Sequence, residues 1–200
     1  MTHRQLFLDG TAAAITFDVV VIIWAAFEFV MRIVQRFRSS SRKAFNNDAS
    51  IVAIGVFGAA GVVTAELIAR GNVLPWPGGR TWPLIVATAL VVVALVLRAW
   101  SIYTLGRFFQ YQIEIQTEHR VVDNGPYRYV RHPSYTAILL GLTGFGFACG
   151  SVLSVVAIVG LAGIGMAIRI RVEEKQLIEA LGQDYQAFAA THKRLIPHVL

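Results

Sequence analysis

Two short runs of this 200-residue sequence carry the residue types that can do chemistry. The first is Gly125-Pro126-Tyr127-Arg128-Tyr129-Val130-Arg131-His132-Pro133-Ser134-Tyr135; the second starts at Arg169 and reaches Glu173. Pro133 suits the first turn of a helix, where its missing N–H costs nothing, and it drives the preceding His132 toward an extended backbone. His132 is therefore expected beside a helix N-terminus, a place whose N–H groups and dipole favour an anion. Arg169 and Glu173 stand four residues apart and share one helix face. If the two runs meet, a histidine, tyrosines, an arginine and a carboxylate converge, a set able to bind and orient a charged ligand. Buried ionisable groups at membrane depth are read first as functional. The competing reading is that Arg131, Arg169 and Arg171 snorkel to headgroups while Glu173 pairs with a neighbour.

What brings the runs together is the chain between them. Pro133 to Ile168 is 36 residues without a charge. As one helix it would span about 54 Å, against a hydrocarbon core of about 30 Å. It must fold back, and Cys149-Gly150-Ser151 near its middle is the expected turn, which returns Arg169 to the level of Pro133. Small residues recur on each arm: Ala137, Gly141, Gly144 and Ala148, then Ala157, Gly160, Gly163 and Ala167. Such stripes let membrane helices approach closely. Gly141, Gly144 and Gly146 are assigned to packing, not to a nucleotide-binding loop, because no strand precedes them.

The rest of the composition agrees with a membrane setting. Hydrophobic residues make up 56% of the chain and charged ones only 15%, outside the soluble range of about 45–50% and about 25%. The apolar residues lie in five blocks: Ala12 to Val34, Ser50 to Ala69, Thr81 to Leu97, Pro133 to Ala148 and Ser151 to Ile168. Each is near the roughly 17–25 residues a spanning helix needs, the fourth only with its flanks. The first block is too long for a signal-peptide core and contains Asp18 and Glu28. Asp18 reads as an interhelical hydrogen-bond partner and Glu28 as a partner of Arg32. The expectation is an all-α integral membrane protein of about five spans with a C-terminal amphipathic helix. Its apolar stripe would be Leu177, Leu181, Tyr185 and Phe188.

A single cysteine, Cys149, excludes a disulfide scaffold and a cysteine-built zinc site, and His3, His192 and His198 lack metal-ligand spacing. No metal is expected. The net charge of +6 does not point to nucleic acid, because the basic residues follow the spans. Arg4, Arg70 and Arg80 fall on one side, and the other fifteen on the opposite side. The positive-inside rule then puts the N-terminus outside and the C-terminus in the cytoplasm.

Arg131-His132-Pro133-Ser134-Tyr135, followed after one hydrophobic hairpin by Glu173-Glu174, resembles the RHPxY…EE signature of isoprenylcysteine carboxyl methyltransferases and their phospholipid-methylating relatives. Leu105-Gly106-Arg107-Phe108 and His119-Arg120-Val121-Val122 before it resemble the same family, as do Gly125, Tyr127, Leu177-Ile178, Gly182, Tyr185 and Ile196-Pro197. The resemblance covers roughly residues 100–200, which separates a methyltransferase core at 101–200 from three spans at 1–100. It implies S-adenosylmethionine as cofactor, with Gln112, His119, Arg120, Val121, Val122, Tyr127, His132, Pro133, Ser134, Tyr135 and Glu173 as its contacts and Arg169 as the residue that meets the acceptor. It also implies a lipophilic small-molecule or prenylated acceptor bearing a carboxylate, reached from the membrane lipids. A carboxylate is already ionised at neutral pH and needs orientation, not a base, and arginine is a suitable bidentate clamp for it. An amine acceptor would need a base such as Glu174 or Glu66. The alternatives are therefore a phospholipid or amine N-methyltransferase, a sterol-reductase-like enzyme, and a membrane protein that binds or transports lipid without catalysis.

Overall fold

A computed structural model of the chain describes residues 12–38, 49–109 and 121–197. All the long elements there are helices: α1 (Ala12–Arg38), α2 (Ala49–Arg70), α3 (Thr81–Leu105), α4 (Pro133–Ala148), α5 (Val152–Leu181) and α6 (Gln183–Thr191). Each of the five apolar blocks lies within one of the first five helices but for a turn residue. Four of them, α1, α2, α3 and α5, are long and apolar enough to cross a membrane. The 16-residue α4 falls short of that length by itself.

The turn between α4 and α5 lies where the uncharged stretch requires it. Gly150 takes a left-handed backbone, φ +82°, a conformation that costs glycine little. Ser151 then caps α5, its hydroxyl accepting from the Leu153 amide at 3.2 Å and donating to the Val73 carbonyl at 2.6 Å. The α2–α3 loop is stitched to this turn by Trp76 N–H to the Gly150 carbonyl, 3.1 Å, and Val152 N–H to the Leu74 carbonyl, 3.3 Å. Trp76 stacks on Phe147 at 5.0 Å and meets Trp82 edge-on at 5.3 Å.

The two arms of the hairpin find their main neighbours elsewhere. α4 packs chiefly on α3 and α5 chiefly on α2, while α1 lies against α3. On α4 the small residues are used as expected: a Cβ at Gly144 would stand 2.9 Å from the Ala87 carbonyl oxygen, and one at Gly141 would meet the Trp24 ring at 2.8 Å. On α5 the expected stripe is on the wrong face. Nothing lies within 4 Å of a Cβ at Gly160 or Gly163, and Gly160 and Ala167 are exposed. The buried face is Ser154, Ile158, Ala162, Gly165, Met166, Arg169 and Ile170, and a Cβ at Gly165 would stand 2.9 Å from the Ala53 carbonyl oxygen of α2. Both faces have helical spacing, so periodicity does not choose between them. The partner helix does.

α5 does not stop where its apolar block ends. It continues unbroken for 30 residues to Leu181, about 45 Å, and carries Arg169, Glu173 and Glu174 beyond the apolar stretch. Gly182, at φ +56°, ends it and starts α6. Leu177 and Leu181 thus belong to α5, and Tyr185 and Phe188 to α6, where both are buried.

Candidate active site

The site forms at the end of the bundle opposite Gly150. Here the chain leading to α4 makes a short 3₁₀ turn, Gly125–Arg128, with Pro126 in its first positions. Gly125 has φ +54°, and a Cβ there would stand 2.6 Å from the Thr104 hydroxyl of α3, so only glycine lets the turn lie this close. The turn buries Tyr127 to 6% exposure. Burial, then the negative charge of Glu173, pushes the Tyr127 phenol well above its ordinary value, and it stays a neutral hydroxyl at physiological pH.

His132 follows at φ −126°, ψ 57°, with Pro133 at the start of α4. The backbone leaves the helical region, as the X-Pro rule requires, without becoming fully extended. The imidazole is buried, 5% exposed, and makes no capping bond to α4. It faces α5 instead, with Nε2 3.2 Å from Glu174 Oε1.

The adjacent glutamates of α5 have separate partners. Glu174 Oε1 meets His132 and, at 3.2 Å, Arg131, while Oε2 accepts from Arg194 Nε and Nη2 at 3.0 and 2.8 Å. Arg194 arrives because the C-terminal tail lies along the motif. Arg131 N–H donates to the Lys193 carbonyl at 2.8 Å and His132 N–H to the Arg194 carbonyl at 2.9 Å; the Thr136 hydroxyl donates to the Leu195 carbonyl at 2.7 Å. Glu173 accepts from the Tyr135 hydroxyl at 2.6 Å. That hydroxyl in turn accepts from Arg169 Nε at 3.2 Å, so Arg169 and Glu173 are joined through Tyr135. Arg169 is 2% exposed, and its Nη1 donates to Ser50 at the start of α2, 2.9 Å. Arg131 and Arg169 are therefore tied into the protein, whereas Arg171 is exposed.

A further buried pair stands behind the motif. Arg98 of α3 donates from Nε and Nη2 to the two oxygens of Glu28 on α1, at 2.8 and 3.2 Å, and from Nη1 to the Ser134 hydroxyl. Glu28 thus reaches across to another helix.

Of the residues expected at the site, Tyr127, His132, Pro133, Ser134, Tyr135, Arg169 and Glu173 are brought together. Val121 and Val122 are half-buried on the approach to the Gly125 turn. Gln112, His119 and Arg120 lie outside the described residues. The sequence reading takes Arg98 and Arg194 as topological charge and gives Ser50 no role; Arg131 and Glu174 stand in the signature without an assigned contact, Glu174 otherwise only as a possible base. The available signal was Glu28, a charge inside an apolar block, but nothing in the sequence names its partner.

The donor set fits a zwitterionic ligand. It offers neutral hydroxyls, a carboxylate bound by one tyrosine, and two buried polar atoms, Arg131 Nε and Tyr185 OH, with no hydrogen-bond partner among the described residues. Leaving such atoms unpaired is costly, and a ligand or water would relieve it. Among the described residues no cluster of three or more potential ligands could hold a metal ion.

Apolar helices of spanning length with a buried His–Glu–Arg–Tyr network at one end define a multi-pass membrane protein with a polar site. The model of the isoprenylcysteine carboxyl methyltransferase (ICMT) family matches residues 86–179, from within α3 through most of α5. The chain is 26% identical over 174 residues to protein-S-isoprenylcysteine O-methyltransferase B of Arabidopsis thaliana, covering 78% of this chain and 88% of that one. It is 31% identical over 106 residues to a probable protein-S-isoprenylcysteine O-methyltransferase of Oryza sativa subsp. japonica, covering 52% of this chain and 56% of that one. The corresponding yeast (Saccharomyces cerevisiae) protein is 32% identical over 98 residues, 48% of this chain and 41% of its own length. The chain is thus similar to the isoprenylcysteine carboxyl methyltransferase family over residues 86–179, a segment that includes Arg131 to Tyr135, Arg169, Glu173 and Glu174.

Proposed function

We propose that this protein is an S-adenosylmethionine-dependent methyltransferase that esterifies the carboxylate of a lipophilic, isoprenylcysteine-like acceptor at the cytoplasmic membrane face. The observation that carries the reading is the chain Ser50–Arg169–Tyr135–Glu173, which sets a buried cation and a carboxylate side by side at one rim. The relatives named for isoprenylcysteine O-methylation support the acceptor class. The bias of basic residues toward the His132 end supports the cytoplasmic assignment.

S-adenosylmethionine, when bound, supplies an electrophilic methyl group. The residues that would hold it are Tyr127, His132, Ser134, Tyr135 and Glu173, with Gln112, His119, Arg120, Val121 and Val122 on the preceding segment. Glu173 offers a carboxylate for a ligand amine or hydroxyl, and Tyr127 a neutral buried hydroxyl. Arg169 binds and orients the acceptor carboxylate. Tyr135 and Ser50 fix its guanidinium plane, which matters because the planar fork recognises a carboxylate directionally. Burial of the rim keeps water from the oriented carboxylate, and holding it close is a proximity contribution that requires no proton transfer.

Two features weigh against an amine acceptor. Glu174 is engaged by His132, Arg131 and Arg194 and is poorly placed to accept a proton. Glu66 lines a small cavity with Trp76, Cys149 and Gly150 at the opposite end. Methyl transfer from radiolabelled S-adenosylmethionine to membrane acceptors tests the reading. A base-labile, volatile label is expected, and label stable in lipid headgroups would replace this proposal with N-methylation. Calorimetry with S-adenosylhomocysteine separates both from a non-catalytic lipid binder, which would give no binding.

A further inference from the structure

We propose that Arg98, held by Glu28, is a positioning residue for this site, so that α1 takes part in ligand binding without touching the ligand. This rests on the methyltransferase reading only for its binding readout. α1 lies outside residues 86–179, the segment that carries the family match, and bears none of the motif residues. Yet its Glu28 makes a two-pronged pair with Arg98, 2.8 Å from Nε to Oε1 and 3.2 Å from Nη2 to Oε2. The side chains are 4% and 17% exposed. Two parallel bonds fix the plane of the guanidinium as well as its place.

That plane is used three ways. The remaining nitrogen, Nη1, bonds the Ser134 hydroxyl and lies 3.5 Å from the Ser134 carbonyl. Ser134 sits in the first turn of α4, between His132 and Tyr135. The guanidinium also lies over the Phe109 ring, 5.4 Å from its centroid, in a cation–π contact. Phe109 opens the segment that carries Gln112, His119 and Arg120. One side chain therefore sets the first turn of α4 relative to the start of the connector, and Glu28 keeps that side chain from turning.

The pair makes a poor glue by comparison. A buried ion pair adds little net stability over apolar residues of the same volume. α1 and α3 already meet through a dry cluster that includes Ala14, Phe17, Leu84, Ala87 and Val91. What methionines at both positions would not supply is the directed donor on Ser134.

The test uses the full-length protein in nanodiscs, with the double variant Glu28→Met/Arg98→Met. Because both charges are removed together, its thermal midpoint is expected within a few degrees of wild type. Two other readouts should change. S-adenosylhomocysteine should bind about tenfold more weakly. Amide exchange at Tyr135 and Thr136, both bonded to the His132 carbonyl, should speed about tenfold while that of Cys149, Gly150 and Val152 stays unchanged. Glu28→Gln should move both readouts the same way by less. Wild-type affinity with wild-type exchange at Tyr135 and Thr136 would overturn the proposal, as would exchange raised equally at both ends of the bundle. If the double variant does not fold, the exchange pattern of Glu28→Gln decides. If wild type itself fails to bind S-adenosylhomocysteine, the functional reading falls, and exchange at Tyr135 and Thr136 still decides the role of Arg98.

Discussion

The two ends of this helical bundle solve opposite problems. At the Gly150 end the α4–α5 turn is closed by backbone bonds to the α2–α3 loop, a serine cap and stacked aromatics. At the His132 end the C-terminal tail also adds backbone bonds, but what sets this end apart is its contacts between charged side chains: Arg98 with Glu28, and Glu174 with His132, Arg131 and Arg194, beside Arg169 with Tyr135. Backbone bonds and ring stacking close a turn at little cost in desolvation. Burying ions is expensive, and replacing a buried pair by apolar residues is often neutral for stability. A chain that keeps several such groups at one end and none of comparable density at the other is holding that end for something besides folding.

Variants can break or sharpen that contrast, and the largest effect is expected at Arg169. Arg169→Met should lower methyl-ester formation by about 100- to 1,000-fold, the scale of losing a buried charged contact, while S-adenosylhomocysteine still binds by calorimetry. Joint loss of both would mean that Arg169 serves the cofactor as well. Glu174→Gln comes next. It leaves Arg131 and Arg194 without their anion, and it should lower stability by about 2 kcal/mol, less than a fully buried pair costs because Arg194 is half exposed. Glu173→Gln retains an acceptor for Tyr135, so its thermal midpoint should change less and its S-adenosylhomocysteine affinity more. If the two glutamates behave alike in melting and binding, the division of labour between them is wrong.

The remaining tests lie outside the charged rim. Gly144→Val should cost about 1–3 kcal/mol through overpacking, since its Cβ would press on the Ala87 carbonyl; Gly160→Ala, in open space, should not destabilise. Thermal midpoints measured side by side check this pair. Among the destabilising variants the smallest effect is that of Ser151→Ala, which should cost about 1 kcal/mol as a lost helix cap. Activity per folded molecule should be unchanged for both Gly144→Val and Ser151→Ala. Lost activity in either would show that the Gly150 end is coupled to the site.

Much of this is legible in the sequence. The uncharged 36-residue stretch requires a hairpin, and Cys149-Gly150-Ser151 near its middle is where the structure turns, with Gly150 left-handed. Pro133 marked the start of α4. The structure brings Tyr135, Arg169 and Glu173 into one hydrogen-bonded chain, with His132 on the neighbouring Glu174. The partners are not legible: spacing puts Glu173 on the face of Arg169, whereas the structure engages both glutamates, Glu173 with Tyr135 and Glu174 with His132, Arg131 and Arg194. Glu28 was visible as an anomaly and Ser50 was not visible at all, being an ordinary serine at the start of an apolar block.

The sequence by itself determined the all-helical class, the apolar helices and the fold-back. These depend on local composition and on distances along one chain, which 1.5 Å of rise per residue converts directly into geometry. Only the tertiary structure decided which face of α5 is buried, which glutamate His132 meets, and that Arg98 reaches both Glu28 and Ser134. Helical periodicity fixes the angles between residues on one helix but leaves free the rotation of that helix against its neighbours. That rotation is set by packing, where Gly165 lets α2 approach α5 and Gly144 lets α3 approach α4.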